Sequence, residues 1–243
     1  MTIQKNSIPE AYNGPMVSLQ NIHKTFNPHS VNELTIFENF NLDILKDQFI
    51  SVIGSNGSGK TTILNLLCGS LPVDGGKILV KGQNITKMKE FQRAKFIGRV
   101  FQDPSKGTCP ELTILENMAM AEAKDKHFGL TFGVNRKRLD FYKSQLELLK
   151  LGLEDKLHIQ VGSLSGGQRQ ALALLIATMT PIDLLVLDEH TAALDPKSAD
   201  NVMRLTDQFV KEKHLTALMV THNLKFAIEY GNRLIMMHKG NMV

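Results

Sequence analysis

Length, composition and charge already exclude several kinds of protein. The 243 residues, 42% of them hydrophobic, are enough to bury a full core, and they fit one large domain or one domain that carries an insertion. The 28 Lys and Arg residues are spread along the chain against 24 Asp and Glu residues, which gives a net charge of only +4. We therefore expect no nucleic-acid-binding surface.

The apolar runs and the cysteines indicate a cytoplasmic location. No apolar run is long enough to span a membrane, and residues 1–15 are too polar for a signal peptide. Cys68 and Cys109 lie far apart without metal-ligand spacing, which favours packing roles in a reducing compartment. We expect the chain to reach a membrane only through a partner.

The first part of the chain predicts small strands, then a strand, a glycine loop and a helix. Residues 1–15 are polar and unpatterned, and we expect them to form a disordered tail. Closely spaced apolar residues predict two strands of a half-exposed sheet, then a buried strand that stops at Gly54, and helical spacing follows until Gly69. These strands are predicted over 16–26, 37–45 and 49–53, and the helix over 60–67.

The remainder of the chain alternates strands with helices. Further strands are predicted over 76–80 and 96–101, followed by helices over 112–124 and 135–151, the second of which stops at Gly152. The final third has helices over 167–179, 196–213 and 224–230, and strands over 184–187, 217–220 and 234–237. This alternation predicts a parallel sheet with helices on both faces.

A glycine-rich loop follows the third predicted strand. Its sequence matches G-x-x-x-x-G-K-[ST], and it stands between a strand and a helix, as phosphate-binding loops do. Glycines let backbone N–H groups approach the phosphates, the lysine reaches the β- and γ-phosphates, and the threonine hydroxyl suits Mg²⁺. The alternative is a Gly/Ser-rich turn with an exposed lysine. We expect nucleoside-triphosphate binding by Gly54, Ser55, Asn56, Gly57, Ser58, Gly59, Lys60, Thr61 and Thr62.

Two carboxylates follow the buried strand predicted over 184–187. They reach the carboxyl edge of the sheet, where sites assemble in α/β proteins. Asp188 is placed to hold Mg²⁺ or its water shell, and Glu189 to polarise an attacking water as general base. The alternative is that these acids cap the next helix or solvate a turn. The phosphate loop favours the catalytic interpretation.

The stretch Leu164-Ser165-Gly166-Gly167-Gln168 runs directly into an apolar helix. A serine followed by paired glycines leaves backbone N–H groups free at a helix start, which is a geometry that holds an anion. By itself this composition favours a simple loop and helix N-cap. The order of this stretch relative to the other motifs favours the anion site.

That order resembles the ATP-binding cassette (ABC) ATPases over residues 17–240. The phosphate loop, the LSGGQ stretch, the Asp188-Glu189 pair and Thr221-His222-Asn223 follow one another as in that family. The resemblance implies ATP and Mg²⁺ as cofactors, with His222 contacting the γ-phosphate. It also implies that the fold is α/β, a P-loop NTPase with a RecA-like core, an antiparallel β subdomain and a helical subdomain inserted over about 91–162 of a domain spanning 16–243.

Three more site residues come from the same resemblance. Gln102 matches the glutamine that contacts Mg²⁺ and the attacking water and senses the membrane subunit, and Asp195 matches the D-loop. Phe26 stands where the family stacks an aromatic ring on adenine. By default an aromatic residue at a strand end belongs to the core, and a lone glutamine or histidine lies on the surface or caps a helix.

Members of the family work as head-to-tail dimers that hold two ATP molecules. The resemblance implies that ATP lies between the phosphate loop of one copy and Ser165, Gly166, Gly167 and Gln168 of the other. It also implies that a groove beside Gln102 receives a coupling helix from a separate membrane permease. The monomer should therefore be nearly inactive.

Some features depart from the family pattern or leave their role open. His190 stands where many members have proline, so a titratable group either adjoins the base or packs against the next turn. The stretch 127–133 is either a flexible helix connection or a contact to the permease or lipid headgroups. The basic residues that flank it are Lys124, Lys126, Arg136, Lys137 and Arg138. We expect no C-terminal regulatory domain after the last strand.

Three functions compete for this cassette. A soluble mechanical ATPase would usually have two cassettes, a coiled coil or a basic arm. A non-hydrolysing module is disfavoured by Glu189, Gln102 and His222 together. We expect the ATPase subunit of a transporter, peripheral on the inner face of the cell membrane. The amino-acid sequences of its motifs resemble those of the ATPase subunits of importers grouped with tryptophan/tyrosine-type substrate-binding proteins. This resemblance suggests amino-acid uptake with an extracytoplasmic binding protein. The alternative is an exporter or a lipid- or lipoprotein-trafficking system.

Overall fold

Two sheets of different kinds organise the chain in the computed structural model, which describes residues 12–124 and 133–243. A four-stranded antiparallel sheet has the order β2-β1-β4-β5, and a six-stranded sheet has the order β10-β9-β3-β8-β7-β6. The strands are β1 (Val17–Phe26), β2 (Leu34–Ile44), β3 (Phe49–Gly54), β4 (Gly75–Val80), β5 (Gln83–Asn84), β6 (Ile97–Val100), β7 (Leu184–Asp188), β8 (Thr216–Val220), β9 (Arg233–His238) and β10 (Asn241–Met242).

Helices cover the six-stranded sheet. They are α1 (Lys60–Cys68), α2 (Glu90–Arg93), α3 (Ile114–Glu122), α4 (Leu139–Glu147), α5 (Gly166–Thr178), α6 (Pro196–Glu212) and α7 (Leu224–Tyr230). Within this sheet, as the described residues form it, β3 and β6 to β9 pair in parallel, and β10 pairs antiparallel with β9. The predicted parallel sheet is thus confirmed.

The core divides at this sheet into two apolar clusters. Leu184 and Val186 of β7 face a cluster that contains α1 and the antiparallel sheet. Leu185 and Leu187 face the opposite cluster, which α3 to α7 form. Because both faces of β7 are buried, its sequence is a continuous apolar run rather than an alternating one. The prediction of helices on both faces is confirmed.

The helix predicted over 135–151 is wrong in extent. Asn135 accepts a hydrogen bond from the Lys137 N–H (3.0 Å), so this stretch begins with a 3-10 turn. Helix α4 then ends at Glu147, and Lys150 takes a left-handed φ of 54°. The backbone has therefore left the helix before Gly152, which is not its stop. The short elements α2, β5 and β10 were not predicted.

Parts of two predictions lie outside the described residues. These parts are residues 1–11 of the expected tail and 125–132 of the basic linker. Among the described residues, no helix has the length and apolarity that crossing a membrane requires. Cys68 is buried, and burial raises the pKa of its thiol to about 11, in agreement with the predicted packing role.

Candidate active site

The phosphate loop connects β3 to α1 through backbone conformations that require glycine. Gly54 and Gly59 have φ values of 150° and 102°. A Cβ atom on Gly54 would lie 2.2 Å from the Met237 carbonyl oxygen, and one on Gly59 would lie 2.8 Å from the Phe37 ring. The loop therefore wraps against β9 and β2 as closely as a chain without side chains permits.

Lys60 closes this loop from within. Its side chain is buried, and Nζ donates hydrogen bonds to the carbonyl oxygens of Gly54 (2.8 Å) and Ser55 (3.0 Å). Burial lowers the pKa of Lys60, and the negative charge of Glu189 opposes that shift. The Ser58 hydroxyl is buried without a hydrogen-bond partner among the described residues, although buried hydroxyls usually have one.

The carboxyl end of β7 brings two predicted catalytic residues into contact. Glu189 Oε1 lies 2.8 Å from His222 Nε2, and the Glu189 N–H donates to the Val220 carbonyl oxygen (3.0 Å). Glu189 has a φ of 47°, a left-handed conformation that is rare for glutamate and costs about 1–3 kcal/mol. Such strain is often found at functional sites, because the surrounding structure must stabilise it.

His190 is a buried neutral side chain that connects this turn to α6. Its Nε2 lies 3.2 Å from the Thr206 hydroxyl, which already donates to the Val202 carbonyl oxygen (2.8 Å). We therefore assign His190 as the donor through Nε2. Burial lowers its pKa to about 4, so it carries no charge near neutral pH. Of the two possibilities raised by the sequence, His190 packs into the fold.

A cavity of about 530 Å³ brings predicted residues from four parts of the chain together. Its lining includes Phe26, Thr61, Gln102, Asp188 and Glu189. A hydroxyl, an amide oxygen and a carboxylate are the donor types that Mg²⁺ prefers, so this set fits the ion. The half-buried Phe26 lies at the same cavity, as an adenine contact would require.

Sequence reasoning missed Arg99, a charged residue that also lines this cavity. Arg99 NH2 lies 2.8 Å from Asp188 Oδ2, and the side chains are only 12% and 15% exposed. Arg99 is the one charged residue of β6, whose other members are Ile97, Gly98 and Val100. A charge within an apolar strand was the signal that could have identified it.

The LSGGQ stretch forms the N-terminus of α5 and is an N-cap, as its composition alone favoured. The Ser165 hydroxyl accepts from the Gln168 N–H (3.3 Å), and Gln168 Oε1 accepts from the Ser165 N–H (3.1 Å). These two bonds form a capping box. A Cβ on Gly167 would lie 2.9 Å from the Ser198 side chain, so this glycine allows α5 to pack against α6.

The predicted residues of the stretch do not meet the phosphate loop within one chain. None of Ser165, Gly166, Gly167 or Gln168 is among the described residues that line the cavity at Thr61. Ser165 is exposed, and Gly166 lies against Leu194. The stretch is therefore a second helix N-terminus, separate from that cavity.

Asp195 caps α6 beside this stretch. Its carboxylate accepts from the Ser198 N–H (3.1 Å), and hydrogen bonds from Ser198 lower the Asp195 pKa. The neighbouring Leu194 lines a second cavity of about 550 Å³, together with Glu189 and His222. The D-loop candidate thus lies between the LSGGQ stretch and the Glu189 side of the site.

The fold and the loop geometry define a nucleotide-binding site of the P-loop NTPase class. The family model described as "ABC transporter" matches residues 37–192, and the chain belongs to that family. It is the ATP-binding subunit of an ABC transporter and an ATPase.

Relatives and solved structures agree with this assignment. The "Tyrosine transport ATP-binding protein" of Clostridioides difficile (strain R20291) is 46% identical over 229 residues, which cover 94% of this chain and 90% of that protein. A "Phosphonates import ATP-binding protein" of Lactococcus lactis subsp. lactis is 32% identical and covers 94% of this chain and 92% of its own length. A dimeric ATP-binding cassette bound to ADP and Pi has a TM-score of 0.79 at 28% identity, and covers 93% of this chain and 96% of its own.

Proposed function

We propose that this chain energises the import of an aromatic amino acid by a membrane transporter. The observation that carries this proposal is the 46% identity, over 94% of the chain, to a protein named for tyrosine transport. The name of a second relative, which concerns phosphonates, includes the word "import". The wording of the motifs around Gln168, His190 and His222 supports the same substrate class.

The working unit is a homodimer that holds ATP between two copies. The phosphate loop connects β3 and α1 of its own chain, whereas α5 begins at the exposed Ser165, and none of Ser165 to Gln168 lines the cavity at Thr61. A related cassette with a TM-score of 0.79 is dimeric and bound to ADP and Pi. In this arrangement Ser165, Gly166, Gly167 and Gln168 of one copy face the γ-phosphate held by Lys60 of the other.

Within each copy, different residues bind the phosphates, the base and the metal ion. Residues Gly54 to Thr62 hold the phosphates, and Phe26 stacks on the base. Thr61, Gln102 and Asp188 hold Mg²⁺, which neutralises phosphate charge when bound. The supporting observation is that Phe26, Thr61, Gln102 and Asp188 line one cavity.

Glu189 polarises the water that attacks the γ-phosphate. Its contact with His222 (2.8 Å) supports a role for both residues at the same reacting group. His222 is half exposed and lines the second cavity, which shares Glu189 with the first, and we assign it a contact with the γ-phosphate. The products are ADP and phosphate, and product loss lets the copies separate.

The permease binds beside Gln102, in the region 91–162. Phe91 and Met120 in this region are 67% and 53% exposed, which suits a surface that a membrane subunit covers. The chain thus lies at the inner face of the membrane through this partner, and an extracytoplasmic binding protein delivers the cargo. Asp195 lies at the interface between the two cassettes.

Uptake by intact cells tests the proposal. The gene is deleted in its native host and restored as wild type, as Glu189→Gln, or as Glu212→Gln, an exposed carboxylate at the C-terminal end of α6 that serves as the matched control. We expect labelled tyrosine uptake to be lost on deletion and with Glu189→Gln, and restored by the other two.

Competition then defines the cargo. Unlabelled phenylalanine and tryptophan should compete with tyrosine, and leucine and a phosphonate should not. Unchanged aromatic amino-acid uptake in the deletion strain would contradict the proposed cargo. Loss of tyrosine efflux instead of uptake would contradict the proposed direction.

A further inference from the structure

We propose that Arg99 is a positioning residue for Asp188, and that its guanidinium sets how the carboxylate meets Mg²⁺. This inference rests on the Mg²⁺ role proposed for Asp188. It is independent of the transported cargo.

The guanidinium of Arg99 forms a small polar cluster between three elements. Its NH2 group donates to Asp188 Oδ2 (2.8 Å) and to Asn65 Oδ1 (2.9 Å), and NH1 donates to the Ser70 hydroxyl (3.3 Å). Its CZ atom lies 4.5 Å from the centre of the Phe101 ring. One side chain therefore connects α1, the end of β7 and the residue that precedes Gln102.

Strand register explains how Arg99 reaches this position. Arg99 pairs with Val186 in the parallel ladder of β6 and β7, so the two side chains share a face of the sheet. Asp188 lies two residues after Val186 and therefore projects to the same face. The length of the arginine side chain covers the remaining distance along the strand to the carboxylate.

The cluster is more than a surface ion pair. The side chains of Arg99 and Asp188 are 12% and 15% exposed, so their attraction is weakly screened by water. The Nε atom of Arg99 is buried without a hydrogen-bond partner among the described residues, which is unfavourable for stability. A position selected for stability alone would favour an apolar side chain, as at Ile97 and Val100.

The two carboxylate oxygens of Asp188 have different partners in this proposal. Arg99 contacts Oδ2, and we assign Oδ1 to the Mg²⁺ side of the cavity. Side chains behind a metal ligand commonly orient it in this way. Because Arg99 also stacks on Phe101, a shift of the segment at Gln102 changes the support of Asp188 at the same time.

Magnesium titration of nucleotide binding tests this role. The binding of a fluorescent ATP analogue is measured in EDTA and in increasing Mg²⁺ for wild type, Arg99→Met, Arg99→Lys and Arg204→Met, which is an exposed control on α6. We expect Arg99→Met to bind the analogue within about twofold of wild type in EDTA, and to need at least about fivefold more Mg²⁺ for half-saturation. Arg99→Lys should be intermediate, and Arg204→Met unchanged.

The remaining variants separate failures of the two assignments. Asp188→Asn should also raise the Mg²⁺ requirement, and an unchanged requirement in Asp188→Asn would overturn the proposed Mg²⁺ role of Asp188. A raised requirement in Asp188→Asn with unchanged or lowered half-saturation in Arg99→Met would overturn the role of Arg99 alone. If Arg99→Met does not fold, Arg99→Lys decides: a half-saturation raised above wild type supports the role, and wild-type half-saturation overturns it.

Discussion

The phosphate loop and the LSGGQ stretch are both glycine-rich turns that begin a helix, yet their glycines serve different purposes. In the phosphate loop, Gly54 and Gly59 adopt positive φ values against β9 and β2. In the LSGGQ stretch, Gly166 and Gly167 are helical, and Gly167 allows α6 to approach within contact distance. The first turn is shaped by backbone conformation and the second by packing between helices.

The lysine of the phosphate loop and the serine of the LSGGQ stretch differ in burial and in the bonds they make. Lys60 is buried and bonds to its own loop, whereas Ser165 is exposed and caps its own helix. The lysine of the first turn thus points into its own loop, and the serine of the second turn lies at the surface. Similar composition therefore does not indicate similar backbone conformation or similar packing.

The largest expected effect is that of Lys60→Ala on ATP binding by a single copy of the chain, which does not depend on dimerisation. Lys60→Ala should weaken ATP binding by the isolated chain about 100-fold, because a charge-assisted contact to phosphate is lost. Titration calorimetry measures the affinity. The exposed Lys46→Ala is the matched control and should bind normally; equal losses in both variants would contradict the assignment.

Ser165→Arg should impair the assembly of two copies and leave ATP binding by one copy intact. The isolated chain should still bind ATP within about twofold, but ATP-dependent dimerisation and hydrolysis should fall at least about tenfold, because a bulky cation fills the interface. Light scattering and phosphate release measure these effects. Ser144→Arg, on the exposed face of α4, should change neither. Lost ATP binding by the monomer would refute the division between the two turns.

Glycine substitutions sharpen the structural difference between the turns. Gly167→Ala should destabilise the fold by about 1–3 kcal/mol through overlap with Ser198, and Ser198→Gly in the same chain should recover part of this loss. Gly57→Ala should cost about 1 kcal/mol because of its φ of 76°. That loss cannot be recovered by a neighbour, because no described atom lies within 4 Å of the added Cβ. Urea unfolding measures all three.

The smallest effect concerns His190, which links the Glu189 turn to α6. Its pKa is lowered to about 4, so the unfolded chain takes up a proton between about pH 6.5 and 4 while the folded chain does not. Stability from the neutral ring is complete above that window and falls as the pH decreases through it. Between pH 8 and pH 5.5 the loss should be about 1 kcal/mol larger in wild type than in His190→Gln.

Urea unfolding at the two pH values measures this difference. The exposed His238→Gln should retain the full pH dependence of wild type. An identical pH dependence in wild type and His190→Gln would show that His190 does not contribute in this way.

The sequence predicted the parts of this protein that depend on local spacing. The phosphate loop, the β7 run into Asp188 and the alternating helices need only neighbours along the chain to be recognised. Arg99 was missed because its partner is set by the register of β6 against β7, which no local pattern encodes. The two-residue strands β5 and β10 are too short to show any period, and the early end of α4 depends on a local left-handed residue, Lys150.

The close contact between Gly54 and Met237 has a consequence for folding during synthesis. Met237 lies on β9, which leaves the ribosome after every residue of the motifs from Gln102 to His222. A nascent chain can therefore contain all the motifs while its phosphate loop still lacks the strand that supports it, because this contact joins distant parts of the sequence. Nucleotide binding should consequently appear only after β9 has emerged, and until then the edge of β3 that pairs with β9 lacks its partner strand.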